Sequence, residues 1–181
     1  LKTGVTKFSE QAYQVEEAIN NLDRKITDYL VKLSSSSLSD NESEEHSVLM
    51  DTVRDIERIG DHFENIVELV DYQIANKVEL TEAAEKDLEE MFSLTVSTVK
   101  ESIEALRTND KTLANDVRMK EDQIDKMERS LRKKHILRMN EGLCSGQAGI
   151  VFVDIISNLE RIGDHAVNIA EAVLGEDHET L

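Results

Sequence analysis

Apolar residues recur every three or four positions through almost the whole chain, a spacing that predicts long amphipathic helices and no strands. The first helix is predicted over about Thr6–Leu33, with Val15, Ile19, Leu22, Ile26, Tyr29 and Leu33 along one face. The pattern lapses between Ser34 and Glu45, a serine-rich, acidic stretch that reads as a solvated loop. Helices follow over about Ser47–Asn76, Thr81–Arg107, Lys111–Met139 and Gln147–Leu174. Thr81 stands where an N-cap belongs, with Glu82 in the first turn. Gly142, Cys144 and Gly146 mark the connection before the last helix, and proline is absent throughout.

The helical pattern is itself repeated. Glu57-Arg58-Ile59-Gly60-Asp61-His62 returns as Glu160-Arg161-Ile162-Gly163-Asp164-His165, 103 positions later. Asn65-Ile66 and Asn168-Ile169 follow at the same offsets. Identity of this kind within one short chain is an internal duplication, and it fixes the architecture. Upstream, Glu16–Asp23 aligns with Glu121–Glu128 at an offset of 105, and Leu1-Lys2-Thr3 resembles Leu106-Arg107-Thr108. One unit is therefore a three-helix bundle of helices A, B and C. Residues 79–181 are the complete second repeat. Residues 1–78 hold helices B and C of the first, with Leu1-Lys2 read as the last turn of its helix A. The native chain is expected to begin further upstream. An unsupported amphipathic pair exposes a wide apolar face, to be covered by the missing helix or by a partner chain, as in a paired or swapped homodimer.

Charge narrows the partners. Asp and Glu number 38 against 21 Lys and Arg, a formal net charge of −17. Phosphate backbones and anionic headgroups are repelled by such a chain, which argues against nucleic-acid binding and polybasic membrane docking. Excess carboxylate suits cations or basic protein surfaces. The longest apolar run, Gly149–Val153, is cut by Asp154, far short of the roughly 20 residues needed to span a bilayer. No signal peptide opens the sequence, and the single cysteine, Cys144, fits a reducing compartment.

The duplicated stretch preserves charges and a glycine as well as apolar residues, which points to a site. Glu57 and Asp61 are i and i+4 on one helix face, and Asn65 continues the line. Glu160, Asp164 and Asn168 repeat it. Helix B adds Glu121 and Asp125 in the second repeat, and Glu16 with Asn20 in the first. Oxygen-rich pairs brought together from two helices hold hard or borderline divalent and trivalent cations. A helical wheel gives the competing reading. With Ile59 inward, Phe63, Ile66 and Val70 cluster with it while Glu57, Asp61 and Glu68 fall opposite, as on an ordinary wet face. Gly60 and Gly163, mid-helix, imply close approach of a neighbouring helix or of an ion. Arg58 and Arg161 suit salt bridges, and His62 and His165 read as packed or hydrogen-bonded. Cys144 reads as inert and the methionines as core. Glu-x-x-His pairs, His-Glu-x-x-His, a Walker loop and Gly-x-Ser-x-Gly are all missing, so no enzyme chemistry is supported.

These residues, with Asn168-Ile169-Ala170-Glu171 after the second motif, resemble the signature of the PhoU-type phosphate-uptake regulators. The resemblance spans essentially the whole chain. It implies an all-α fold of tandem three-helix bundles, and acidic E/D-x-x-x-D pairs that hold multinuclear clusters of iron or zinc on the bundle surface. Manganese and magnesium are further candidates. Carried over by position, the ligands are Glu57, Asp61, Glu121, Asp125, Glu160 and Asp164, with Glu16 the weaker counterpart because Asn20 departs from the acidic pattern. The stretch His135–Cys144 is similar to the soluble C-terminal domain of bacterial Na+/phosphate cotransporter family proteins. That likeness implies a cytoplasmic regulatory domain at the inner face of the membrane. Its partner would be the transporter's membrane domain or a phosphate-signalling protein. The rival reading is a metal-free helical module whose acidic faces dock a basic partner.

Overall fold

In the computed structural model, which describes residues 2–175 and side chains from Ser9 onward, the chain is five α-helices. They are α1 (Lys2–Ser34), α2 (Asp40–Ala75), α3 (Glu82–Thr108), α4 (Lys111–Asn140) and α5 (Gly146–Leu174). Four helix starts are capped by side chains. Ser39, Thr81 and Ser145 accept hydrogen bonds from Glu42 N, Ala84 N and Ala148 N, and Asp110 accepts from both Thr112 N and Leu113 N. Each such cap contributes about 1 kcal/mol by satisfying an otherwise unpaired amide.

Two boundaries differ from expectation. The second helix starts at Asp40, so most of the Ser34–Glu45 stretch is helical rather than loop. Ser39 and Glu42 form a reciprocal capping box that nucleates it. Leu1 lies outside the described residues, but Lys2 and Thr3 belong to α1 itself and not to the end of a separate helix. In the second repeat the corresponding turn ends because Asn109 is left-handed (φ 52°) and Asp110 caps a new helix. The first repeat has Gly4-Val5 there, with no capping side chain, and the helix continues.

Side-chain pairings show α1 and α2, α3 and α4, and α4 and α5 running antiparallel, as do α2 and α5. Ser9 meets Asp71 across α1 and α2, Asp87 meets Lys134 across α3 and α4, and Arg132 meets Ser157 across α4 and α5. α5 is the central element, packed against α2, α3 and α4. Its buried face (Phe152, Ile155, Ile156, Leu159, Ile162) meets Ile66 of α2, Met91 of α3, and Ile124 and Leu131 of α4. Each such side chain, fully buried, is worth about 1.5–3 kcal/mol. His135 is also fully buried, stacked on Phe152 with ring centroids 4.1 Å apart, and its Nε2 lies 3.7 Å from Cys144 Sγ. Met91 is core as expected, whereas Met119 is exposed and Met139, partly exposed, lies against Gly149 of α5.

The duplication is visible as a pseudo-twofold relation: α1 lies on α2 as α4 lies on α5. A Cβ at Gly60 would stand 3.4 Å from Ile19 Cδ1, and one at Gly163 3.2 Å from Ile124 Cδ1. The glycines therefore admit the neighbouring helix. The symmetry is broken by α3, which covers α4 and α5, while the matching surface of α1 and α2 is open. A groove of about 710 Å³ runs there, lined by Val15, Ile19, Phe63, Val67, Phe92 and Val96 among others. Along α1, Val15, Leu22 and Tyr29 remain 60%, 57% and 63% exposed.

Candidate metal centre

In the second repeat, α4 contributes Glu121 and Asp125 and α5 contributes Glu160 and Asp164. One carboxylate oxygen from each of Glu121, Asp125 and Asp164 lies within 4.8 Å of the others, the single group of this kind among the described residues. All are half-buried, which differs from the wet face implied by the helical wheel. A wheel registers only the deepest interface of a helix, and here α4 lies along the flank of α5.

Charge crowding follows from that geometry. The Glu121 carboxyl is pushed up to about 7, first by burial and then by Asp125, Asp164, Asp122 and Glu160. Asp164 is raised by burial and by Asp125, with His165, Arg161 and His62 opposing. Glu160 is raised by burial and then by Asp164 and Asp125. Arg129 Nη2 lies 3.0 Å from Asp125 Oδ2, from a well-exposed position. The donor set is all oxygen and spans two helices. It fits a hard or borderline cation, which would join α4 to α5 and remove the repulsion.

The first repeat assembles the same elements differently. Glu16 and Asn20 of α1 face Glu57 and Asp61 of α2, but no three carboxylates converge. Asn20 Nδ2 is hydrogen-bonded to Glu16, and Arg58 bridges Glu57 (3.7 Å) and Asp61 (3.4 Å). Glu57 is still raised, by burial, then Asp61, with Asp23 and Glu16 adding and Arg58 opposing. An amide thus stands in place of the fourth carboxylate, and an arginine is seated on the face.

His62 and His165 are hydrogen-bonded, as read from sequence, and their partners come from the opposite repeat. His62 Nδ1 donates to Asn158 Oδ1 (3.0 Å) and His165 Nδ1 to Asp55 Oδ1 (2.8 Å). Sequence reasoning passed over Asp55 and Asn158. The available signal was their spacing of 103, the same as the motifs, two turns ahead of each histidine. Asp23 and Glu128, equivalent at an offset of 105, were likewise missed beside Glu57 and Glu160.

Five helices in pseudo-twofold array, with acidic seams between the paired helices of each repeat, define a class of duplicated helical-bundle domain. The PhoU domain family model matches residues 1–70 and 88–173, and the chain belongs to that family. It is 35% identical over 120 residues to the phosphate-specific transport system accessory protein PhoU homolog 1 of Thermotoga maritima, covering 66% of this chain and 51% of that one. A Xylella fastidiosa PhoU homolog is 27% identical over 168 residues, covering 93% and 69%. The chain thus spans about half the length of the Thermotoga relative. Among solved structures, the phosphate transport system regulatory protein PhoU from Streptococcus pneumoniae superposes with a TM-score of 0.79 at 26% identity, over 93% of this chain and 78% of that one. PhoU from Pseudomonas aeruginosa gives 0.84 at 23% identity, over 92% and 79%, a likeness of fold.

Proposed function

We propose that the chain is a non-catalytic, metal-binding regulatory domain of phosphate uptake, acting through contact with a phosphate-transport or phosphate-signalling protein. The observation that carries the metal reading is the convergence of Glu121, Asp125 and Asp164 from two helices. Glu160 stands beside them as a fourth donor. The first repeat, through Glu57, Asp61 and Glu16, is a second and weaker position. Iron or zinc is the expected ion, with manganese and magnesium as further candidates. The bound ion supplies charge neutralisation; the chain's own residues orient it and fix the α4–α5 seam. Support for the regulatory role is family membership together with the relatives themselves, named as accessory and regulatory proteins of phosphate transport.

The finer setting is a cytoplasmic domain attached to a Na+/phosphate cotransporter. It is supported by the similarity carried by His135–Cys144 and agrees with the lack, among the described residues, of any helix long and apolar enough to cross a membrane. The open groove on α1 and α2 corresponds, by the pseudo-twofold, to the surface that α3 covers in the second repeat.

Replacing Asp164 by alanine tests the site. Bound metal is lost with helicity retained if the reading holds. Unchanged metal content would return the acidic seams to the rival role of docking a basic partner, with salt-sensitive binding indifferent to chelators.

A further inference from the structure

Asp55 and Asn158 are equivalent by the duplication, and each reaches out of its own repeat. Asp55 Oδ1 accepts from His165 Nδ1 at 2.8 Å and from Asn168 Nδ2 at 3.1 Å. Asn158 Oδ1 accepts from His62 Nδ1 at 3.0 Å and from Asn65 Nδ2 at 3.3 Å. Each acceptor therefore grips one helical turn of the other repeat. That turn begins immediately after a candidate ligand, since His62 follows Asp61 and His165 follows Asp164. The two imidazole rings stack between the grips, with centroids 5.6 Å apart and planes 23° apart.

The two grips are not equal. Asp55 is a carboxylate only 8% exposed, and hydrogen bonds to a carboxylate are about twice as strong as those between neutral groups. Asn158 is a neutral amide, anchored by its own Nδ2 to the Asp154 carbonyl at 2.9 Å. Helices transmit displacement as rigid elements, and hydrogen-bonded side chains joining two of them form a contiguous route.

We propose that Asp55 and Asn158 are positioning residues that couple the two acidic seams: a shift in the turn carrying Asp61 passes through the His62–Asn158 and His165–Asp55 bridges to the turn carrying Asp164, and the reverse. The part concerning ions rests on the metal reading above; the mechanical coupling does not. Reciprocity is required by linkage, so whatever binds at one seam changes affinity at the other by the same factor.

The test uses the full chain with Mn(II) as the probe. Its affinity at the second seam is measured by calorimetry with and without Asp61→Asn, in the native background and with Asp55→Ala plus Asn158→Ala. Coupling predicts a change of about fivefold or more in the native background and less than about twofold when both acceptors are gone. Amide exchange of residues 161–168 in metal-free protein gives a second readout: these amides respond to Asp61→Asn only when the acceptors are present. Asp55→Asn combined with Asn158→Asp exchanges the acceptors instead of deleting them, guarding against loss of the fold, and should keep the response at the second seam. An equal response with and without the acceptors, or no response of 161–168 in any background, overturns the proposal. If Mn(II) binds nowhere, the metal reading falls, and the exchange data alone decide the coupling.

Discussion

Gly163 of α5 and Ile124 of α4 stand so close that a Cβ at position 163 would lie 3.2 Å from Ile124 Cδ1 and 3.4 Å from its Cγ2. Ile124 is 1% exposed and has little room to yield, and the same helix turns carry Glu121, Asp125, Glu160 and Asp164. The glycine sets the spacing on which convergence of the carboxylates depends.

Gly60 offers the internal control. Its counterpart contact is 3.4 Å, and Ile19 lines the open groove and can move. Alanine in a helix interior is favoured over glycine by about 1 kcal/mol. Gly60→Ala should therefore raise stability by up to about that amount, whereas Gly163→Ala should gain nothing or lose. Urea denaturation of the two variants checks the difference in sign. Equal stabilisation of both would mean that the α4–α5 seam is not tightly packed.

Proton linkage gives a second expectation. Glu121 titrates near 7 in the folded chain against an ordinary 4.5, so the folded state holds a proton that the unfolded state has released between those values. Stability of metal-free protein is thus highest below about 4.5 on this group's account and declines as pH rises to 7. Glu160 and Asp164 push the same way. Thermal melts of chelator-treated protein should show this decline, and Glu121→Gln should flatten it and stabilise the apo form at pH 8. Metal affinity runs oppositely, weakening as pH falls below about 7 because the proton on Glu121 must be displaced.

The two seams should differ on mutation. Asp164→Asn removes one member of the converged trio and should abolish the tighter ion site. Asp61→Asn acts where Arg58 already pairs with the carboxylate, and direct loss of bound metal there should be small. Metal titrations on both variants distinguish the seams, and equal losses would contradict their ranking.

The groove makes a separate prediction. Phe63 and Phe92 flank it with ring centroids 6.4 Å apart, and both are exposed. A hydrophobic dye such as ANS should bind the chain as it stands, and Phe63→Asp should remove most of that fluorescence while the melting temperature changes little. Dye binding that survives the substitution would locate the apolar surface elsewhere.

Much of this was legible in the sequence because apolar spacing reports helices directly, and all five were found. The start of α2 was missed because Ser39 and Glu42 sit in a run whose composition resembles a linker, although serine followed three residues later by glutamate is a capping-box signal. The i, i+4 carboxylate pairs were visible as pairs. Their convergence was not, since whether Asp125 meets Asp164 depends on how α4 lies along α5. The Asn20–Glu16 and Arg58–Asp61 contacts lie at i, i+4 and i, i+3 spacing within single helices, so both were within reach of the sequence. The Asp55–His165 bridge needs the antiparallel crossing of α2 and α5, a relation between repeats that the spacing of 103 hints at but does not determine.

The most direct test is metal content per chain, measured by elemental mass spectrometry on tag-free protein purified without chelator, beside the Asp164→Ala variant. At least one equivalent of iron, zinc or manganese in the native chain, lost in the variant with helicity intact, is the expected result. Native protein that is metal-free, and remains so after reconstitution with each ion, would contradict a metal centre at Glu121, Asp125 and Asp164.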